Sequence, residues 1–109
     1  MIVTLHALST MHCNVATEIR MAKETGYEAL ELVEAKLVRY LDAGFTAEDL
    51  NPIFQRYGIR PVMINALKGI ERSRPKERRR LMAETERLCI AAEVIGCPTI
   101  QLVPLCGLE

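Results

Sequence analysis

The sequence has no excess of charge of either sign: 14 Lys and Arg residues stand against 14 Asp and Glu. At net charge zero the chain as a whole has no electrostatic claim on nucleic acid. Aromatic residues are only 5% of the chain, and none interrupts the basic run between positions 72 and 80, so an RNA-stacking surface has no support. No apolar run reaches the ~18–20 residues that a membrane-spanning helix needs, so no membrane partner is expected. The N-terminal stretch lacks the basic start of a signal peptide and reads as a strand. The four cysteines, Cys13, Cys89, Cys97 and Cys106, form no Cys-x-x-Cys pair and follow no zinc spacing. They are expected as free, mostly buried thiols in a reducing, cytoplasmic setting. Gly-x-Gly-x-x-Gly, a Walker loop and His-Glu-x-x-His are all missing, which leaves nucleotide-binding and zinc-protease readings without motifs.

What is present is a chain of 109 residues that is half apolar and 26% charged. That is enough for a core and for one domain, and it is not the composition of a disordered segment. Ile2–Leu8 reads as a strand. Asn14 is an N-cap for a helix over Val15–Thr25, with Val15, Ile19 and Ala22 on one face and Gly26 as the stop. Tyr27–Val33 is the second strand and Ala35–Ala43 a helix. Thr46 and Asp49 resemble a capping box before Leu50, Ile53, Phe54 and Tyr57, which share a helical face. Pro52 there either kinks the helix or restarts it with Asn51 as cap. Arg60–Ala66 is the third strand, Ser73 and Pro75 open a long helix, and Thr99–Val103 is the fourth strand.

A repeat organises these elements. Gly26-Tyr27-Glu28-Ala29-Leu30-Glu31-Leu32, Gly58-Ile59-Arg60-Pro61-Val62-Met63-Ile64 and Gly96-Cys97-Pro98-Thr99-Ile100-Gln101-Leu102 superimpose without gaps. Each is a helix-stopping glycine, three linking residues and an apolar–x–apolar strand. The glycines stand 32 and 38 positions apart, the length of one β/α unit. Strand alternation then puts Leu30, Leu32, Val62, Ile64, Ile100 and Leu102 under the helices. Thr4, His6, Glu31, Met63, Asn65, Gln101 and Val103 fall on the opposite face. A doubly wound sheet needs both faces apolar. A polar second face suits a barrel interior, whose C-terminal strand ends build the active site.

The order Gly-Tyr-Glu-Ala-Leu-Glu-Leu, then Gly-Ile-Arg-Pro-Val-Met-Ile-Asn, then Ala91-Ala92-Glu93-Val94-Ile95-Gly96-Cys97-Pro98-Thr99-Ile100-Gln101-Leu102-Val103-Pro104 resembles the xylose-isomerase-like TIM barrels, the sugar phosphate isomerases and epimerases. The resemblance covers about Ile2 to Pro104. It implies an α/β fold of parallel (β/α) repeats, with about four strands and three helical connections. Residues 1–109 would be a single partial barrel domain, the N-terminal half of a (β/α)8 enzyme. It implies an isomerase or epimerase that moves a proton next to the carbonyl of a small sugar or sugar phosphate. A divalent metal (Mn, Mg, Co or Zn) would polarise the substrate oxygens, with ligands outside this chain. The isolated chain is then expected to be inactive, with no catalytic residue and no metal ligand of its own assigned.

Four residues are candidates for substrate contact. His6, Asn65 and Gln101 lie inward near strand ends and can donate or accept to a polyol. Glu31 matches a Glu that the family places in the second strand, and an inward carboxylate needs a partner. His12, in the loop after the first strand, is a weaker candidate. Glu34 has the helix-facing parity and is expected to cap a loop. Lys68, Arg72 and Arg74 leave the third strand on the catalytic side and could hold an anion, although the run to Arg80 reads better as a solvated helix face. Two other readings remain. One is a half-barrel that pairs with itself, a homo-oligomer, because four strands leave both sheet edges open. The other is a small flavodoxin-like α/β binding module.

Overall fold

The computed structural model describes residues 3–6, 14–68, 70 and 73–103. The elements are β1 (Thr4–His6), α1 (Val15–Glu24), β2 (Ala29–Val33), α2 (Glu34–Asp42), a 3-10 turn (Ala47–Asp49), α3 (Leu50–Tyr57), β3 (Arg60–Lys68), α4 (Pro75–Ile95) and β4 (Ile100–Val103). They agree with the repeat to within a residue or two at most ends. β3 is longer than expected, continuing past Ala66 to Lys68.

Helix ends follow local chemistry. Asn14 Oδ1 accepts from the Thr17 N–H at 2.8 Å and caps α1. The Thr46 N–H donates to Asp49 Oδ2 at 2.8 Å in the capping box that starts the 3-10 turn, and α3 follows without a break. Pro52 sits in the first turn of α3, where its missing N–H has no intrahelical partner to lose. Asn51 is therefore not a cap. Its Nδ2 donates to the Val94 carbonyl at 3.0 Å and ties α3 to α4. Pro75 is at the start of α4. Gly58 and Gly96 end α3 and α4 with φ of 63° and 72°, the left-handed region that costs a residue with a Cβ about 1–2 kcal/mol.

All four strands are parallel and run in the order β1-β2-β3-β4. That sequential order distinguishes a barrel segment from a doubly wound sheet, where the order reverses at a switch point. The flavodoxin-like alternative is thereby excluded. Leu30, Leu32, Ile64 and Leu67 are buried against Val15, Ile19 and Ala22 of α1, Leu37 of α2, Phe54 of α3 and Leu81, Leu88 and Ala92 of α4 in one hydrophobic core. On the other face Glu31, Val33, Met63 and Asn65 are half-buried and Gln101 is exposed. Leu102, expected under the helices, is 56% exposed. It lies on the outer side of an edge strand, past the flank of α4, and no described helix covers it.

The register shifts twice along β3, between Leu30 and Glu31 of its β2 neighbour and between its own Ile64 and Leu67. The second shift has a consequence for side-chain direction. Plain alternation would put Lys68 on the same side as Ile64. The extra residue reverses the parity, so that Leu67 is buried with Ile64 and Lys68 turns to the side of Asn65.

Candidate functional site

The C-terminal ends of β2, β3 and β4 enclose a cavity of about 230 Å³, lined by Val33, Glu34, Ala35, Asn65, Ala66, Lys68, Gln101 and Val103. Beside it, Asn65 Nδ2 donates to Glu31 Oε2 at 3.3 Å, joining β2 to β3 across the inner face. Asn65 pairs in register with Val33, and Glu31 with Met63 and with His6 of β1. Of the residues expected to contact substrate, the structure therefore brings together Glu31, Asn65 and Gln101. The backbone of His6 lies next to Glu31, while its side chain is outside the described residues. His12 and Arg72 are also outside them.

Lys68 lines this cavity, but Arg74 does not. Arg74 is the residue before α4, and every residue from Ser73 to Arg80 is exposed. Glu34 differs from its expected role. The strand stops at Val33 and α2 begins at Glu34, so strand parity no longer applies, and the carboxylate faces the cavity. Burial raises its pKa above the ordinary 4.5, the neighbouring Glu84 carboxylate raises it further, and the Lys68 ammonium opposes both. The cavity thus offers amides that donate and accept, one carboxyl and one ammonium. This set suits a small molecule with several hydroxyls and a carbonyl or anionic end.

Among the described residues no group of three or more His, Cys, Asp or Glu side chains could hold a metal ion. The described residues of this site do not fit a metal centre of their own. Neither described thiol is part of it. Cys97 is buried, with its pKa raised by burial, and Cys89 is exposed on α4, contrary to the expectation of mostly buried thiols. Cys13 and Cys106 are outside the described residues. No described helix is long and apolar enough to cross a membrane.

A second polar cluster was not anticipated from the sequence. Glu18 of α1 and Lys36 of α2 form an ion pair inside the helix layer, 0% and 6% exposed. The signal was available: Glu18 falls on the apolar stripe of Val15, Ile19 and Ala22, where a charge needs a buried partner. A larger cavity of about 410 Å³ lies near this pair, with walls that include Asn14, Lys36, Tyr40, Phe45 and Ile53. It opens between α1, α2 and α3, and its lining is mainly apolar. The Tyr40 and Phe45 rings stack there with centroids 4.8 Å apart. Chemistry is better served by the smaller cavity, where polar groups from three strands and α2 converge.

The four-stranded parallel sheet with its helices on one side defines an open segment of a (β/α) barrel. Compared with family models and with curated proteins, the sequence finds no match. Solved structures do match. The chain is similar to the IolI protein, solved with a bound zinc atom, with a TM-score of 0.83 and 23% identity over 96% of this chain and 38% of that one. It is similar to a xylose isomerase domain protein from Salmonella typhimurium LT2, with a TM-score of 0.77 and 17% identity over 94% of this chain and 36% of that one. It is also similar to AsbF of Bacillus anthracis, a probable 3-DHS dehydratase of petrobactin synthesis, with a TM-score of 0.73 and 19% identity over 94% and 38%. The fold is that of the xylose isomerase-like TIM barrels, and the chain spans somewhat more than a third of the length of these proteins.

Proposed function

We propose that the chain is the N-terminal part of a metal-dependent sugar or sugar-phosphate isomerase or epimerase, supplying substrate contacts and inactive by itself. The observation that carries this reading is the convergence of Glu31, Glu34, Asn65, Lys68 and Gln101 at the C-terminal strand ends, the place where barrels of this kind work. Asn65 and Gln101 hold substrate hydroxyls. Glu31 orients the Asn65 amide and so fixes which of its atoms faces the substrate. Lys68 takes the carbonyl-side or anionic end. Glu34, at the start of α2 on the same cavity, accepts from a substrate hydroxyl. The zinc atom of the IolI structure supports a divalent metal for the whole enzyme. Its ligands are not built from the described residues, and no step is assigned to it. The cytoplasm is the proposed location, in keeping with the unpaired thiols of Cys89 and Cys97.

The test is an NMR titration of the isotope-labelled chain with a panel of ketoses, aldoses and their phosphates, alongside a turnover assay. The expected result is shift changes confined to Glu31, Glu34, Asn65, Lys68 and Gln101, without turnover. Shift changes gathered around Tyr40 and Phe45, or isomerisation at an enzyme-like rate by this chain alone, would overturn the reading.

A further inference from the structure

We propose that the cavity between α1, α2 and α3 is a second binding site, for a small aromatic monocarboxylate, separate from the strand-end cavity. The inference does not rest on the isomerase reading. The walls named below come from the elements between β1 and β3, so neither edge strand's open side takes part.

The sequence makes the space. Lys36, Arg39, Tyr40 and Ala43 stand at i, i+3, i+4 and i+7, one face of α2 and its C-cap. Across from them stand Ala16 of α1 and Ile53 of α3. Ala16 and Ala43 are too small to close the gap of about 410 Å³, in a layer that close packing would otherwise fill. A volume of this size suits a small organic molecule.

The two ends of the cavity differ in chemistry. α1 and α2 both leave the C-terminal ends of parallel strands, so Asn14 and Lys36, at their starts, share one end. Ala43 and Phe45, past the end of α2, share the other. At the first end Asn14 Oδ1 caps α1 by accepting from the Thr17 N–H at 2.8 Å. That bond holds the amide in one orientation, and among the described residues nothing accepts from its Nδ2. The Lys36 charge is answered by Glu18. Arg39 forms no ion pair with a described residue, and no carboxylate is among the described lining residues. One uncompensated guanidinium selects a monoanion, and its fork matches a carboxylate.

At the far end the Tyr40 and Phe45 rings stack with planes 13° apart, and Phe45 is 54% exposed. This flat apolar wall suits an aromatic ring. Burial raises the Tyr40 pKa, and the Asp49 carboxylate nearby raises it further, so an anionic group is disfavoured at this end. The ligand is thereby oriented, ring towards Phe45 and carboxylate towards Arg39 and Asn14. A polyol would leave most of its hydroxyls unpartnered on these walls, which keeps the two cavities selective for different molecules. Among the described lining residues there is no His, Cys, Asp, Glu, Ser or Thr, so the site binds and performs no reaction of its own.

The test is an NMR titration of the isotope-labelled 109-residue chain with 3-phenylpropionate, and with 3-phenylpropionamide and inorganic phosphate for comparison. The expected result is saturable shift changes at Asn14, Arg39, Tyr40, Ala43 and Phe45, with none at Asn65 or Gln101. The amide keeps the ring and loses the charge, and should bind at least about tenfold more weakly. Phosphate should not compete. Arg39→Gln, at an exposed position, should weaken 3-phenylpropionate by about tenfold with circular dichroism unchanged. Ala43→Leu puts a side chain into the cavity and should abolish binding; if that chain does not fold, Arg39→Gln carries the test. The proposal is overturned by the absence of saturable shifts, by equal affinity for acid and amide, by competition from phosphate, or by an Arg39→Gln chain that binds as tightly as the parent.

Discussion

α2 begins with two charged residues of opposite fate. Lys36 turns into the helix layer and meets Glu18, with both groups out of water. Glu34, two positions earlier, turns to the strand ends, where Lys68 and a second carboxylate, Glu84, influence it and solvent reaches it. Both neighbourhoods contain a carboxylate and an ammonium, and they do different work. A closed pair in a low-dielectric interior fixes how two helices pack, and breaking it strands a charge. An open group with conflicting neighbours is poorly satisfied in the resting fold and is therefore available to a ligand.

That contrast is broken most severely at Lys36. Lys36→Met should lower the unfolding free energy by about 3–5 kcal/mol, because Glu18 would be left charged and buried. Denaturant titration measures it, and the double variant Glu18→Leu with Lys36→Met should regain most of the loss. Ligand shifts at Asn65 and Gln101 should persist in whatever fraction remains folded. Gly96→Ala should cost about 1–2 kcal/mol through the left-handed backbone alone, since its added Cβ meets no atom within 4 Å. Thermal melting checks that value, and ligand affinity should not change.

Smaller effects sharpen the other side. The folded chain holds the Glu34 proton more tightly than the unfolded chain does, because its pKa is raised above 4.5. The stability linked to that proton is complete below pH 4.5 and is lost as pH rises through the folded value. Glu34→Gln should flatten this part of the stability–pH curve, read by denaturation at a series of pH values. Arg87→Ala removes a surface bridge to Asp42 at 2.8 Å and should shift stability by less than about 1 kcal/mol.

Much of this architecture was legible because it is written in residues with one dominant local preference. Gly26, Gly58 and Gly96 mark the repeat, Asn14 and Thr46 mark helix starts, and alternation assigned Leu30, Leu32 and Ile64 to the core. What escaped depends on contacts distant in the chain. The register shift after Ile64 comes from pairing with β4, so the direction of Lys68 could not be read from β3 alone. Glu34 was assigned by a strand parity that ends one residue before it. The Glu18–Lys36 pair needed α1 and α2 to be docked. Glu31 and Asn65 were found by parity because both lie where the alternation holds.

The most direct test of the account is to measure melting temperature and ligand affinity together for Asn65→Ala. The account expects a modest stability loss of about 1 kcal/mol, from one half-buried hydrogen bond. It also expects at least about a tenfold loss of affinity for the hydroxylated ligand, equivalent to 1.4 kcal/mol. Unchanged affinity, or a collapse in stability comparable to that of Lys36→Met, would contradict it, because Asn65 would then be part of the framework and the strand-end cavity would not be the binding site.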